Sequence, residues 1–213
     1  MGWPEFLFLL EGMKWTIALS AIGFIGGGVV GLAVALARTS GRPMLERATA
    51  AYVSVFQGTP LLMQLFVVYF GLVLVGLDLA PWEAVALGFT LHASAYLGDI
   101  WRGGIEAVPR GQMEAARALS LGYVSRMRDV ILPQALRVSL PATIGFLVQL
   151  IKGTSLASIV GFTELARAGN MVSNQIFKPL LVFGIVGAMY FALCWPLSLY
   201  GSWMERRLAA PTR

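Results

Sequence analysis

Charges fall along this chain in clusters, and between the clusters lie apolar runs long enough to cross a bilayer. A helix rises 1.5 Å per residue and the hydrocarbon layer is about 30 Å thick, so a span needs about 20 apolar residues. Trp15 to Ala37 is uncharged for 23 residues, Ala48 to Leu77 for 30 and Pro179 to Met204 for 26. Two shorter runs, Ala84 to Gly98 (15 residues) and Val138 to Ile151 (14), reach spanning length only by extension, to Trp101 and from near Pro133. Those two must be shielded by neighbouring helices rather than face lipid all round. The pattern predicts an all-α polytopic membrane protein with five transmembrane helices, at about 15–37, 49–74, 82–101, 133–153 and 179–204. An interfacial segment over 1–13 precedes a transmembrane domain over 14–205, which holds a cytoplasmic loop over 102–132, and 206–213 forms a tail.

Composition agrees with lipid as the main solvent: 57% of residues are hydrophobic and 13% charged, against about 25% charged in soluble domains. The net charge of +5 would suit a nucleic-acid partner, but the basic residues sit in the gaps between apolar runs. Twelve of them, from Arg38 to Arg47, Arg102 to Arg137 and Arg206 to Arg213, fall on one side of a five-span chain. Lys14, Lys152, Arg167 and Lys178 fall on the other. The positive-inside rule then places the N-terminus outside and the C-terminus in the cytoplasm. A single histidine (His92) and a single cysteine (Cys194) do not make a metal site.

Gly23, Gly27 and Gly31 recur one turn apart in the first span, an invitation to close helix packing, within the chain or across a subunit contact. The cytoplasmic loop, from Pro109 to Arg137, predicts two short helices at an angle. Pro109 starts the first, Gly122 offers a left-handed cap that ends it, and Pro133 breaks or bends the second. Such a knob fits a groove on a cytosolic partner; the alternative is a solvated loop whose arginines set topology.

Polar side chains inside spans are costly and often functional. They are Gln57, Thr59 and Gln64 in the second span, His92 and Tyr96 in the third and Gln149 in the fourth, with Thr154 and Ser155 just beyond it. Each has a structural alternative, bonding to its own backbone or to a neighbouring helix. The pathway is placed around Gln57, Thr59 and Thr154. Asp99 and Arg102, three apart, form a local ion pair. An ion-coupled transporter would carry carboxylates deep in its spans, whereas Asp99 and Glu164 sit near span ends.

The loop resembles the EAA motif, EAA-x3-G-x9-I-x-L-P, of membrane subunits of ATP-binding-cassette importers. Glu114, Ala115, Ala116, Ser120, Val130, Leu132 and Pro133 keep its spacing, with Ser120 in place of glycine and Val130 in place of isoleucine. Three further segments are similar to the polar amino acid subfamily: VFQGTPLLMQLF (Gln57 for arginine), AYLGDIWRGGIEAVPRGQMEAA (Asp99 for glutamate) and KGTSLASIVGFTEL.

The resemblance implies a permease subunit of the bacterial inner membrane, not itself an enzyme, that carries a polar amino acid. It would pair with an identical or related membrane subunit, an external substrate-binding protein and cytosolic ATPase subunits. It also implies that Glu114, Ala115, Ala116, Ser120, Gly122 and Pro133 form the ATPase-coupling element. The chain holds no G-x-x-x-x-G-K-[ST] phosphate loop, so ATP and Mg²⁺ would be bound by the partner. A permease for another small solute is the alternative within the family.

Overall fold

A computed structural model describes residues 1–208; residues 209–213, including Arg213 and the end of the expected tail, lie outside it. Every regular element among the described residues is helical. In chain order they are α1 (Trp3–Arg38), α2 (Pro43–Gly58), α3 (Leu61–Leu74), α4 (Pro81–Ala107), α5 (Arg110–Ala118), α6 (Tyr123–Ser125), α7 (Leu132–Gly153), α8 (Leu165–Ile176) and α9 (Pro179–Leu208). A π-helical turn, Arg126–Ile131, joins α6 to α7, and a 3-10 turn, Thr154–Ser158, continues α7.

By length and apolar character three helices can cross a membrane: Trp3–Arg38, the continuous helix Tyr123–Ser158, and Pro179–Leu208. The bent pair α2 and α3 makes a fourth if taken as one span. The 36 residues of α1 measure about 54 Å, and residues 3–13 of the expected interfacial segment form its first turns. Pro4 and Glu5 favour its start: proline needs no donor there, and the Glu5 carboxylate accepts from the Gly2 amide at 2.7 Å.

α4 is long enough to cross a membrane but less apolar than those helices, and it is the most enclosed helix among the described residues. Phe89, Ala93, Ala95 and Leu97 are wholly buried on it. It packs along α1, and the glycine stripe explains how. A Cβ added at Gly23 would lie 2.8 Å from Phe89 Cβ, and one at Gly31 would lie 3.0 Å from the Ser94 carbonyl oxygen. One added at Gly27 would overlap Ala93. The stripe is therefore an internal contact, and α4 returns the fit by presenting Gly98 to Val34.

One polar tie fixes an end of this pair, and a second ties the far part of α1 to α8 and α9. At one end the Arg38 guanidinium donates to Asp99 at 3.0 Å, and Arg102 donates to both Asp99 and Glu106. The expected local pair thus extends into a chain that joins α1 to α4. At the other end Glu164 caps α8, accepting from the amides of Ala166 and Arg167 at 2.8 and 2.9 Å. Tyr190 of α9 donates to the same carboxylate at 2.8 Å, while Thr16 of α1 accepts from the Leu165 amide at 3.2 Å. Glu164 stands at the N-cap of α8, outside the long apolar helices, and is wholly buried there.

Replacing Gly27 by alanine adds one methyl where Ala93 already sits, and overpacking of this kind costs about 1–3 kcal/mol. Gly103, on the same partner helix, has nothing within 4 Å of an added Cβ. Gly27→Ala is expected to lower the thermal midpoint of the detergent-solubilised protein by several degrees and Gly103→Ala to leave it unchanged or raised. Equal effects would contradict the packing account.

Candidate functional site: a membrane cleft and a projecting knob

The second apolar run is not one rod. Thr59 and Pro60 are extended, with ψ of 143° and 137°, and the axes of α2 and α3 turn by 106° between them. The break frees carbonyls at the end of α2, and a buried side chain answers them. The Gln64 amide donates to the carbonyls of Phe56 (2.7 Å) and Thr59 (3.0 Å) and to Thr59 Oγ1 (3.0 Å). With its NH₂ committed, Gln64 presents Oε1 to His92 Nδ1 at 2.9 Å. With Oε1 as the acceptor, Nδ1 carries a proton, and Nε2 is the nitrogen that accepts when the ring is neutral. His92 also packs on Tyr96, ring centroids 4.6 Å apart, and Tyr96 stacks on Phe146 at 5.3 Å.

Beside this break opens a cleft of about 450 Å³, lined by Thr59, His92, Tyr96, Gln149, Lys152 and Ser155 among others. Its walls come from the α2–α3 corner, α4, and the end of α7 with its 3-10 turn. Gln64 lies behind the lining as its support. Thr154 is wholly buried, its hydroxyl donating to the Ile151 carbonyl at 2.7 Å, and does not line the cleft. Gln57 is exposed on α2 and also lies outside the lining. The structure so gathers Thr59, Tyr96, Gln149 and Ser155 in one place and sets Gln57 and Thr154 apart. Lys152, a lining residue, stood in the sequence only as a topology charge.

The second constellation is the knob at the arginine-rich end. Pro109 precedes α5, where its missing N–H costs nothing, and Gln112 donates back to its carbonyl at 2.9 Å. Met113 roots α5 against an apolar cluster that holds Ile105, Val108, Met127 and Ile131, and Ala116 is buried. Glu114 and Ala115 face outward, and Glu114 makes no ion pair among the described residues.

The left-handed residue that ends α5 is Ser120 (φ 55°), whereas Gly122 is extended (φ −63°, ψ 163°) and precedes α6. Leu121 N–H donates to Ala116 O at 3.1 Å and Ser120 N–H to Arg117 O at 2.9 Å, a Schellman closure. The position that holds glycine in the EAA pattern is thus the one whose backbone favours glycine.

Pro133 does not break the second helix. The π-helical turn Arg126–Ile131 stands directly before it, and the wider turn shifts the carbonyl register where a proline has no N–H to offer. The knob is therefore one short helix, α5, joined by a tight turn to the start of the long helix Tyr123–Ser158. Leu119 and Val124 stand 75% and 73% exposed at that turn, beside a half-exposed Tyr123.

No group of three or more His, Cys, Asp or Glu side chains able to hold a metal ion occurs among the described residues. Glu164 is the buried acid an ion-coupled carrier would use, but α8 amides, Thr16 and Tyr190 surround it and it does not line the cleft.

Comparison with known proteins agrees with this geometry. The L-cystine transport system permease protein TcyB of Bacillus subtilis (strain 168) is 37% identical over 207 residues, covering 97% of this chain and 87% of that one. The arginine transport system permease protein ArtQ of the same organism is 34% identical, covering 96% and 94%. The crystal structure of an amino acid ABC transporter with histidines matches with a TM-score of 0.84 and 32% identity over 94% of each chain. Residues 7–210 match the family described as binding-protein-dependent transport system inner membrane component, and the chain belongs to that family.

Proposed function

We propose that this chain is the permease subunit of an ATP-driven importer of the bacterial inner membrane. In this reading it passes a polar amino acid from an external binding protein to the cytoplasm. It crosses the membrane five times, with α4 as the shielded third span, the N-terminus outside and the C-terminus in the cytoplasm. A second membrane subunit, identical or related, completes the pathway, and ATP and Mg²⁺ are held by cytosolic ATPase subunits.

The observation that carries this reading is the knob. Arg110, Arg117 and Arg128 surround it, as on a cytoplasmic face, and its outer surface shows Glu114, Leu119 and Val124 with no partner among the described residues. Exposed apolar side chains beside a free charge suit a protein groove better than water. The knob is also mechanically connected to the cleft. The helix that begins at Tyr123 ends at Ser158, so the same rod carries Gln149, Lys152 and Ser155 on the cleft wall. ATPase subunits closing around nucleotide would push α5, and a stiff rod would deliver that push to the cleft.

Tagged protein extracted gently from native membranes is expected to bring an ATPase subunit with it, and Glu114→Lys to deplete that subunit while leaving membrane insertion intact. No ATPase after mild crosslinking, or equal amounts with both proteins, would remove the coupling assignment. A second outcome concerns Ser120, since a side chain in the left-handed region costs about 1–2 kcal/mol. Ser120→Gly is expected to slow hydrogen exchange of the Leu119–Leu121 amides several-fold. Unchanged or faster exchange would show that the turn is not strained.

A further inference from the structure

The charge inventory of the cleft is lopsided, and this bears on what can pass. Thr59, Tyr96, Gln149 and Ser155 line it with neutral polar groups, and His92 is oriented there by its bond to Gln64. Lys152 is the one lining residue with a full charge, and no aspartate or glutamate is among the residues that form the walls.

The nearest acids on the wall-forming elements are already engaged. Asp99, one turn beyond Tyr96 on α4, is bound by Arg38 and Arg102. Glu164, after the 3-10 turn, is enclosed by the α8 amides, Thr16 and Tyr190. Lys152 itself is exposed and forms no ion pair among the described residues.

Resting on the permease reading above, we infer that the cleft takes an amino acid whose side chain is neutral or acidic, and that Lys152 receives its carboxylate. A free amino acid brings a carboxylate and an ammonium. The carboxylate answers Lys152, and the ammonium is met by acceptors that carry no charge, Gln149 Oε1, the hydroxyls and the free lone pair of His92. A basic side chain adds a second cation, which finds Lys152 instead of a carboxylate in a cleft partly shielded from water. Like charges brought together repel, and no carboxylate on the walls offsets that repulsion. The cargo would therefore differ in class from that named for the arginine permease relative.

The test uses the membrane complex purified from native membranes, with radiolabelled L-glutamine, L-glutamate and L-arginine as probes in equilibrium binding without the external binding protein. L-Glutamine or L-glutamate is expected to bind at least tenfold more tightly than L-arginine. Lys152→Glu is expected to invert that order, and Lys152→Gln to weaken glutamine and glutamate binding alike and to narrow their margin over arginine. L-Arginine bound as tightly as the others by the wild type, an unchanged order in Lys152→Glu, or no binding of any probe would overturn the inference. ATP-driven uptake in proteoliposomes containing the binding protein separates the two readings. Uptake that favours arginine sinks only the inference, whereas no uptake of any amino acid sinks the permease reading with it.

Discussion

Along much of α1 and α4 there is hardly a side chain between the two backbones. Gly23, Gly27 and Gly31 on one helix meet Phe89, Ala93 and Ser94 on the other, and Gly98 accepts Val34 in return. In lipid no hydrophobic force drives helices together, so close van der Waals contact must do that work. Glycine permits it at the expense of helix propensity, about 1 kcal/mol per residue, which tertiary contact has to offset. The rest of the fold follows from this contact. Because α4 is sheathed on one side by α1, it can carry His92, Asp99 and Arg102, side chains that would be costly facing lipid. α7 packs on a further side of α4, with Gly104 admitting the Ala135 carbonyl and Trp101 donating to Thr143 at 3.0 Å.

Against this rigid pair the α2–α3 corner is the irregular element. A turn of 106° in an apolar segment leaves backbone groups without helical partners, and within a bilayer such a corner persists only where protein or a water-filled cleft satisfies them. Gln64 does so for the carbonyls of Phe56 and Thr59, with Thr59 Oγ1 sharing the same NH₂, and its oxygen orients His92 at the cleft wall. One side chain thereby closes the corner and sets the tautomer of a cleft-lining ring.

Much of the architecture was legible in the sequence because lipid imposes a simple length rule, and α1 and α9 obey it. α4 was readable only as a run that needs shielding, and the structure supplies that shield. What was missed depends on geometry that periodicity does not encode. The second apolar run reads as one span of 30 uncharged residues, whereas the corner at Pro60 divides it and the Gln64 bonds help to hold the angle. Pro133 suggested a break that the π-helical turn removes. Gly122 looked like the left-handed residue because glycine is the usual occupant, yet the hydrogen bonds close around Ser120, where the motif's spacing had in fact marked a glycine position. In the cleft, Thr59, Tyr96, Gln149 and Ser155 were found as polar residues in apolar runs. Lys152 was passed over because a lysine at a span end reads as an anchor until the opposite wall is known.

The central claim is that the knob at Leu119 meets a cytosolic ATPase while the opposite end of the bundle does not. A photoactivatable amino acid placed at Leu119, and separately at the highly exposed Leu180 at the start of α9, tests this in intact cells. The account predicts an adduct at position 119 that contains a protein with a nucleotide-binding phosphate loop, and no such adduct at position 180. An ATPase adduct at 180, or adducts at 119 with lipid alone, would contradict both the docking surface and the orientation of the chain.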